Sequence, residues 1–207
     1  PELSDLSGLE KGLTIRSMHD ALAGGDALIT AHFGKVVPSD GDGAIALNTA
    51  LMTDGALVRV AAGSTVERPV LLVFTASGDK PASVFSRSLV VIEQGARAML
   101  VESHEYKNAY QVNAVLELVV GNEAHVDHVK IFGGEGDAVH ISSMMASIGT
   151  RARFNDFSFI TGGAVVRNQL FLRFDGEGAL AGIRGASLLK GKQHADNTLV
   201  LDHKVGG

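Results

Sequence analysis

The feature that most constrains this chain is a recurrence. From Ala44 onward, short apolar runs that alternate every second residue break at a Gly or polar turn and then begin again. The units are 56–74, 88–103, 113–132, 140–160 and 168–189. Aligned on Gly63, Gly95, Gly121, Gly149 and Gly176, they recur at roughly 26 to 32 residues, the range of solenoids, propellers and arrays.

Each unit holds two short strands around a tight turn. Leu170, Leu172 and Phe174 fall on one face of a strand and Gln169, Phe171 and Arg173 on the other, because successive side chains point to opposite sides. Val112, Ala114, Leu116, Leu118 and Val120 form a similar inward row. No unit carries a 10–15-residue helical pattern, which argues against a βαβ sheet. Propeller blades need about four strands per 40–45 residues. A sandwich needs closely spaced Asn-Gly or Asp-Gly hairpins, and only Asp54-Gly55 and Asp175-Gly176 qualify. The expected fold is all-β, a parallel β-helix with about two strands per coil. With aromatics at 5% and no Trp, its core must be built from Val, Leu, Ile and Ala, which stack well on pleated surfaces.

Residues 1–43 read as a cap or linker with one short helix, and residues 44–207 as the coil core. Ser17 caps that helix, Asp20 follows three residues on and Gly24-Gly25 stops it. Pro38-Ser39-Asp40-Gly41 reads as a turn cluster. The chain opens on Pro1 and stops at Gly206-Gly207 just after a strand-like run, so a piece of a longer protein, with the core incomplete at its C-terminal end, is expected.

Charge and composition narrow the function classes. A net charge of −5 argues against nucleic-acid binding, which needs clustered Lys and Arg. No run approaches 18 apolar residues, and residues 1–10 lack the signature of a signal peptide, so a cytoplasmic protein is expected. The chain has no Cys, so no thiolate ligand comes from it.

Several clusters invite a chemical reading. The run from Gly185 to Lys192 has one residue too many for a phosphate loop, and Gln193 stands where Ser or Thr should meet magnesium. Gly176 and Gly178 lack the third glycine of a dinucleotide turn. His125 and Asp127 share a strand face while His128 points the other way, which reads as a solvated pair. His104-Glu105 reads as part of an exposed polar turn beside Tyr106. His194 and His203 are the metal candidates. His203 shares the apolar register of Leu199 and Leu201, and a strand-end histidine with a satisfied hydrogen bond is the plainer reading. Asp175, Glu177 and Arg184, or Asp156 with Arg151 and Arg153, supply the carboxylates that a polysaccharide-processing β-helix, lyase or hydrolase, would use. That enzyme class is the alternative to a non-catalytic scaffold. The six-residue period of hexapeptide acyltransferases is absent.

The segment AIALNTALMTDGALVRVAAGSTVERPVLLVF (44–74) resembles the opening of the core domain in the SufB/SufD family, the scaffold proteins of the SUF iron–sulfur cluster assembly system. MHDALAGGDALITAHFG (18–34) resembles that family's linker into the core, and HADNTLVLDHKVGG (194–207) its segment with an acidic residue and a His before a glycine-bearing turn. Within the family, 47–63 is nearer the SufD branch than the SufB branch. The resemblance implies a right-handed parallel β-helix with no catalytic residues. It also implies a complex with a SufB-like paralogue and the ATPase SufC, supplied with sulfur by a cysteine desulfurase. It implies no cofactor in this stretch, only a transient iron–sulfur cluster in the assembled complex. His203 matches the family's His before the turn.

Overall fold

Alternating apolar residues close into coils because each strand can bury only one of its faces. The computed structural model describes residues 4–37, 41–76, 80–106, 110–134 and 137–206. Three short helices and a first strand precede the coils: β1 (Leu13–Ser17), α1 (Met18–Ala23), α2 (Ala27–His32) and α3 (Gly43–Leu51). The strands that follow are β2 (Ala56–Val60), β3 (Val70–Ala76), β4 (Ala82–Ile92), β5 (Arg97–Tyr106), β6 (Tyr110–Val120) and β7 (His125–Gly134). They continue as β8 (Val139–Ile148), β9 (Arg153–Ile160), β10 (Val165–Phe174), β11 (Leu180–Ser187) and β12 (His194–His203).

Two sheets result, in the orders β1-β2-β4-β6-β8-β10-β12 and β11-β9-β7-β5-β3. Each coil gives one strand to each sheet, as the paired runs require. Every pairing is parallel except that of β1 with β2. The advance per coil runs from the long Leu57–Leu89 pairing to the short Val139–Val165 pairing, inside the recurrence expected from sequence. The chain is thus a parallel β-solenoid with short N-terminal helices.

The expected first helix is present. Ser17 Oγ accepts from the Asp20 amide at 3.3 Å, and the Gly24 amide donates to the Asp20 carbonyl at 2.9 Å. Two further helices differ from expectation. Segment 44–51, expected as the start of the coil core, lies in α3, so the coil strands begin with β2. Asp26 and Asp42 cap α2 and α3 through side-chain oxygens, which satisfies amides that a strand would have sent to a neighbour. Residues 38–40 of the expected turn cluster lie outside the described residues.

Between Val58, Val90, Leu118, Ala146 and Leu172 on one sheet and Val70, Leu100, Val126 and Phe154 on the other runs one continuous core. Burying each such side chain stabilises the fold by about 1.5–3 kcal/mol. A second apolar layer lies outside the seven-stranded sheet, where Leu57, Leu89, Val91, Val115 and Met145 are covered by Met18, Ala21 and Ile45 from the helices. Polar latches fix that cover. The Arg87 guanidinium donates to Glu117, Glu117 accepts from the Gly34 amide at 2.8 Å, and Asn48 Nδ2 donates to the Asn113 carbonyl at 2.9 Å.

The glycine alignment needs one correction. The left-handed position of the recurring turn is filled by Gly63, Gly95, Glu123, Arg151 and Gly178. Gly121, Gly149 and Gly176 stand two residues earlier and answer a different demand, close stacking on the previous coil. A Cβ on Gly121 would lie 2.8 Å from the Gln94 amide, and one on Gly149 2.6 Å from Asn122 Oδ1. Among the described residues, no helix is long and apolar enough to cross a membrane.

Candidate functional site

Midway along β5, β7 and β9, the inward register departs from aliphatic residues. Leu100 pairs with His128 and His128 with Asp156, while Glu102 pairs with Lys130 and Lys130 with Ser158. Alternation forces Glu102, His104, His128, Lys130, Asp156 and Ser158 into the space between the sheets, and none is more than 6% exposed. β8 adds His140 and Ser142 from the opposite sheet, both buried. A charged layer therefore crosses the core, with Leu100 and Val126 on one side and an aromatic layer on the other.

The four charged residues are joined directly. His128 bridges two carboxylates, with Nδ1 2.6 Å from Asp156 Oδ1 and Nε2 2.8 Å from Glu102 Oε1. Lys130 Nζ lies 3.3 Å from the same Glu102 oxygen and donates to Ser142 Oγ at 3.0 Å. Burial is the largest influence on His128 and opposes its charge, but the hydrogen bonds to Asp156 and Glu102 and their negative charges together raise its pKa above the ordinary 6.5. Burial likewise opposes ionisation of Glu102, yet the Lys130 charge and the His128 contact outweigh it and hold that carboxyl well below its usual range. Two cations facing two anions leave the layer neutral as a whole, as a charged cluster this deeply buried requires.

Next to it lies a ring stack. His104 lies flat on Phe74 at 4.7 Å between centroids and on Phe132 at 5.6 Å, and His140 meets His104 edge-on at 4.5 Å. His104 Nε2 sits 3.4 Å from Glu102 Oε2, but the geometry is not that of a hydrogen bond, and neither His104 ring nitrogen has a partner among the described residues. His140 Nε2 is also unpartnered there. Burial is the largest cause lowering the pKa of both rings, so both are neutral, and the Lys130 charge adds to the shift of His140.

These positions overturn two expectations. His104 is not in an exposed turn but fully buried in β5. His128 does point away from His125 and Asp127, yet into a charged core and not toward solvent. Asp156 is inside with His128, apart from the exposed Arg151 and Arg153. Asp175 is paired with Arg173 at 2.7 Å, and Glu177 and Arg184 are exposed. No open carboxylate pair is presented among these. After Gly191 the chain enters β12 and not a helix, so the run from Gly185 is no phosphate loop.

His194 and His203 are not brought together. They end opposite faces of the ten-residue β12, about 30 Å apart at strand rise. His203 stacks on Phe174 at 4.6 Å, and His194 is exposed opposite Val165. Among the described residues, no group of three or more His, Asp or Glu side chains is arranged to hold a metal ion. Sequence reasoning missed Glu102 and Lys130, and grouped Asp156 with Arg151 and Arg153 instead of with His128. Their signal was parity: opposite charges recur one coil apart in the same inward register.

Comparison with known proteins gives the family. Residues 74–206 match the family model described as SUF system FeS cluster assembly, SufBD core domain, and residues 2–72 match SufBD protein N-terminal region. An iron-sulfur cluster assembly SufBD family protein of Synechocystis is 28% identical over 220 residues, covering 100% of this chain and 48% of that protein. One from Mycobacterium tuberculosis H37Rv is 30% identical over 167 residues, covering 81% of this chain and 41% of the relative. A Staphylococcus aureus relative is 27% identical over 125 residues, covering 59% of this chain and 27% of its own. The chain spans about half the length, or less, of these curated relatives. It belongs to the SufBD family of the SUF iron–sulfur cluster assembly system.

Proposed function

We propose that this chain is the core portion of a SufD-like, non-catalytic scaffold that works in the cytoplasm with a SufB-like paralogue and a SufC-like ATPase. The match of both family regions along nearly the whole chain carries this reading. The wording of residues 47–63 supports the SufD branch over the SufB branch, and so does the absence of Cys. The charged residues agree with a scaffold: Glu102, His128, Lys130 and Asp156 neutralise one another inside the coil and present no reactive group to solvent. The nascent cluster is cargo of the assembled complex, and no residue of this chain is assigned as its ligand.

Co-expression of the full-length protein with the SufB-like and SufC-like proteins of its own organism tests the proposal. One stable complex that survives size-exclusion chromatography is expected. Elution of the full-length protein alone, with the two partners forming a complex without it, would contradict the reading.

A further inference from the structure

The two sheets treat their outer faces differently. Outside the seven-stranded sheet, apolar rows are covered by α1–α3. Outside the five-stranded sheet, two largely apolar rows have no covering element among the described residues. Leu71, Val101, Val129 and Phe157 lie in one row across β3, β5, β7 and β9, and Val73, Ser103, Ile131 and Phe159 lie in the next; on β11 the two rows end in Arg184 and Ala186. Leu71 is 57% exposed, Val73 49% and Phe157 40%.

Dimensions and charge indicate what fits there. Four strands at about 4.8 Å spacing make apolar rows about 14 Å long, and adjacent outward rows lie about 6.6 Å apart. That is the footprint of one helix about 10 Å wide and about 10 residues long. It falls far short of the roughly 800 Å² per partner that a stable dimer needs. One flank is basic: Arg97, His125 and Arg153 align in register, and neither arginine makes an ion pair among the described residues. Between this flank and the apolar rows stands the Asp127 carboxylate, which accepts from Asn155 Nδ2 at 2.8 Å and lies 3.4 Å from His125 Nε2, so the two arginines supply the flank's positive charge. The opposite flank carries Thr75 and Glu105.

We propose that the outer face of the five-stranded sheet seats one amphipathic helix of a partner polypeptide, its apolar stripe on Leu71, Val73, Val129, Ile131, Phe157 and Phe159 and its acidic flank toward Arg97 and Arg153. The covered face of the other sheet is the precedent within the molecule: there α3 and its neighbours lie on equivalent outward rows. This inference does not depend on which SUF proteins the chain meets.

The probe is a fluorescent 15-residue Leu/Glu amphipathic peptide, titrated with this chain and followed by anisotropy, beside the same peptide with Lys in place of Glu. The acidic peptide is expected to bind at least tenfold more tightly. Phe157→Glu is expected to weaken it at least tenfold, with circular dichroism confirming that the outward-facing change leaves the coil folded. Arg97→Glu combined with Arg153→Glu is expected to reverse the preference toward the Lys peptide. Equal binding of the two peptides, binding unaffected by Phe157→Glu, or no binding would each overturn the proposal. So would a dimer in light scattering that Phe157→Glu dissolves, because the occupant would then be a second copy.

Discussion

Replacing His128 with leucine removes the cation that bridges two buried carboxylates. In the native protein its ring nitrogens lie 2.6 Å from Asp156 and 2.8 Å from Glu102, with all three side chains enclosed. His128→Leu fills a similar volume but leaves Lys130 alone to balance two anions. Breaking a buried pair from one side costs about 3–5 kcal/mol, because the uncompensated charge stays desolvated. The assay is urea denaturation followed by circular dichroism at several pH values. The folded pKa of His128 is raised above 6.5, so its contribution is complete below that pH and is lost as pH rises through the folded value. The slope is at most about 1.4 kcal/mol per pH unit. In the variant, a stranded carboxylate takes up a proton in the folded state well above its unfolded value of about 3.9. The variant therefore regains stability as the solution is acidified, and the cost of substitution is largest near neutral pH and smaller near pH 5. A cost below about 1 kcal/mol at every pH would refute a balanced charged layer, since it lies outside the range for buried pairs. So would an imidazole resonance for His128 that titrates below 6.5.

Other perturbations probe separate parts of the structure. Glu117→Gln leaves the buried Arg87 guanidinium without its carboxylate, and about 3–5 kcal/mol of stability should be lost in urea titrations. Glu123→Gly removes a side chain from a left-handed turn position with φ of 61°. Relief of that strain outweighs the added chain entropy, so a gain of about 0.5–1 kcal/mol is expected in thermal or urea denaturation. Gly121→Ala places a Cβ 2.8 Å from the Gln94 amide and 2.9 Å from the Glu93 carbonyl carbon. Backbone cannot give way there as a side chain would, and a loss of about 2–3 kcal/mol is expected by the same assay.

Alternation makes the coils legible in the sequence. Leu170, Leu172 and Phe174 face inward as expected, and their row continues through Met144 and Ala146 one coil earlier. What alternation did not disclose was what breaks the rule that charge lies outside. Glu102 and His104 occupy inward positions, but their polarity favours a surface reading until Lys130 and Asp156 appear in the neighbouring coils to neutralise the layer. The compensation is non-local, so no single strand reveals it. The missed helices have a similar cause. α2 and α3 are only six and nine residues long, too short to hold without packing. The outer rows of the seven-stranded sheet supply that packing. In sequence, 44–51 is only an apolar run ahead of the first coil. The turns were located correctly but pooled two glycine roles, because Glu123 and Arg151 take the left-handed position where glycine would mark it.

Iron–sulfur cluster content in cells depleted of the full-length protein tests the scaffold account most directly. In a strain with no other assembly route, radiolabelled iron should enter known iron–sulfur proteins several-fold more slowly, while their polypeptides accumulate normally. Re-expression of the full-length protein should restore incorporation. Unchanged incorporation after complete depletion would contradict a role in cluster assembly.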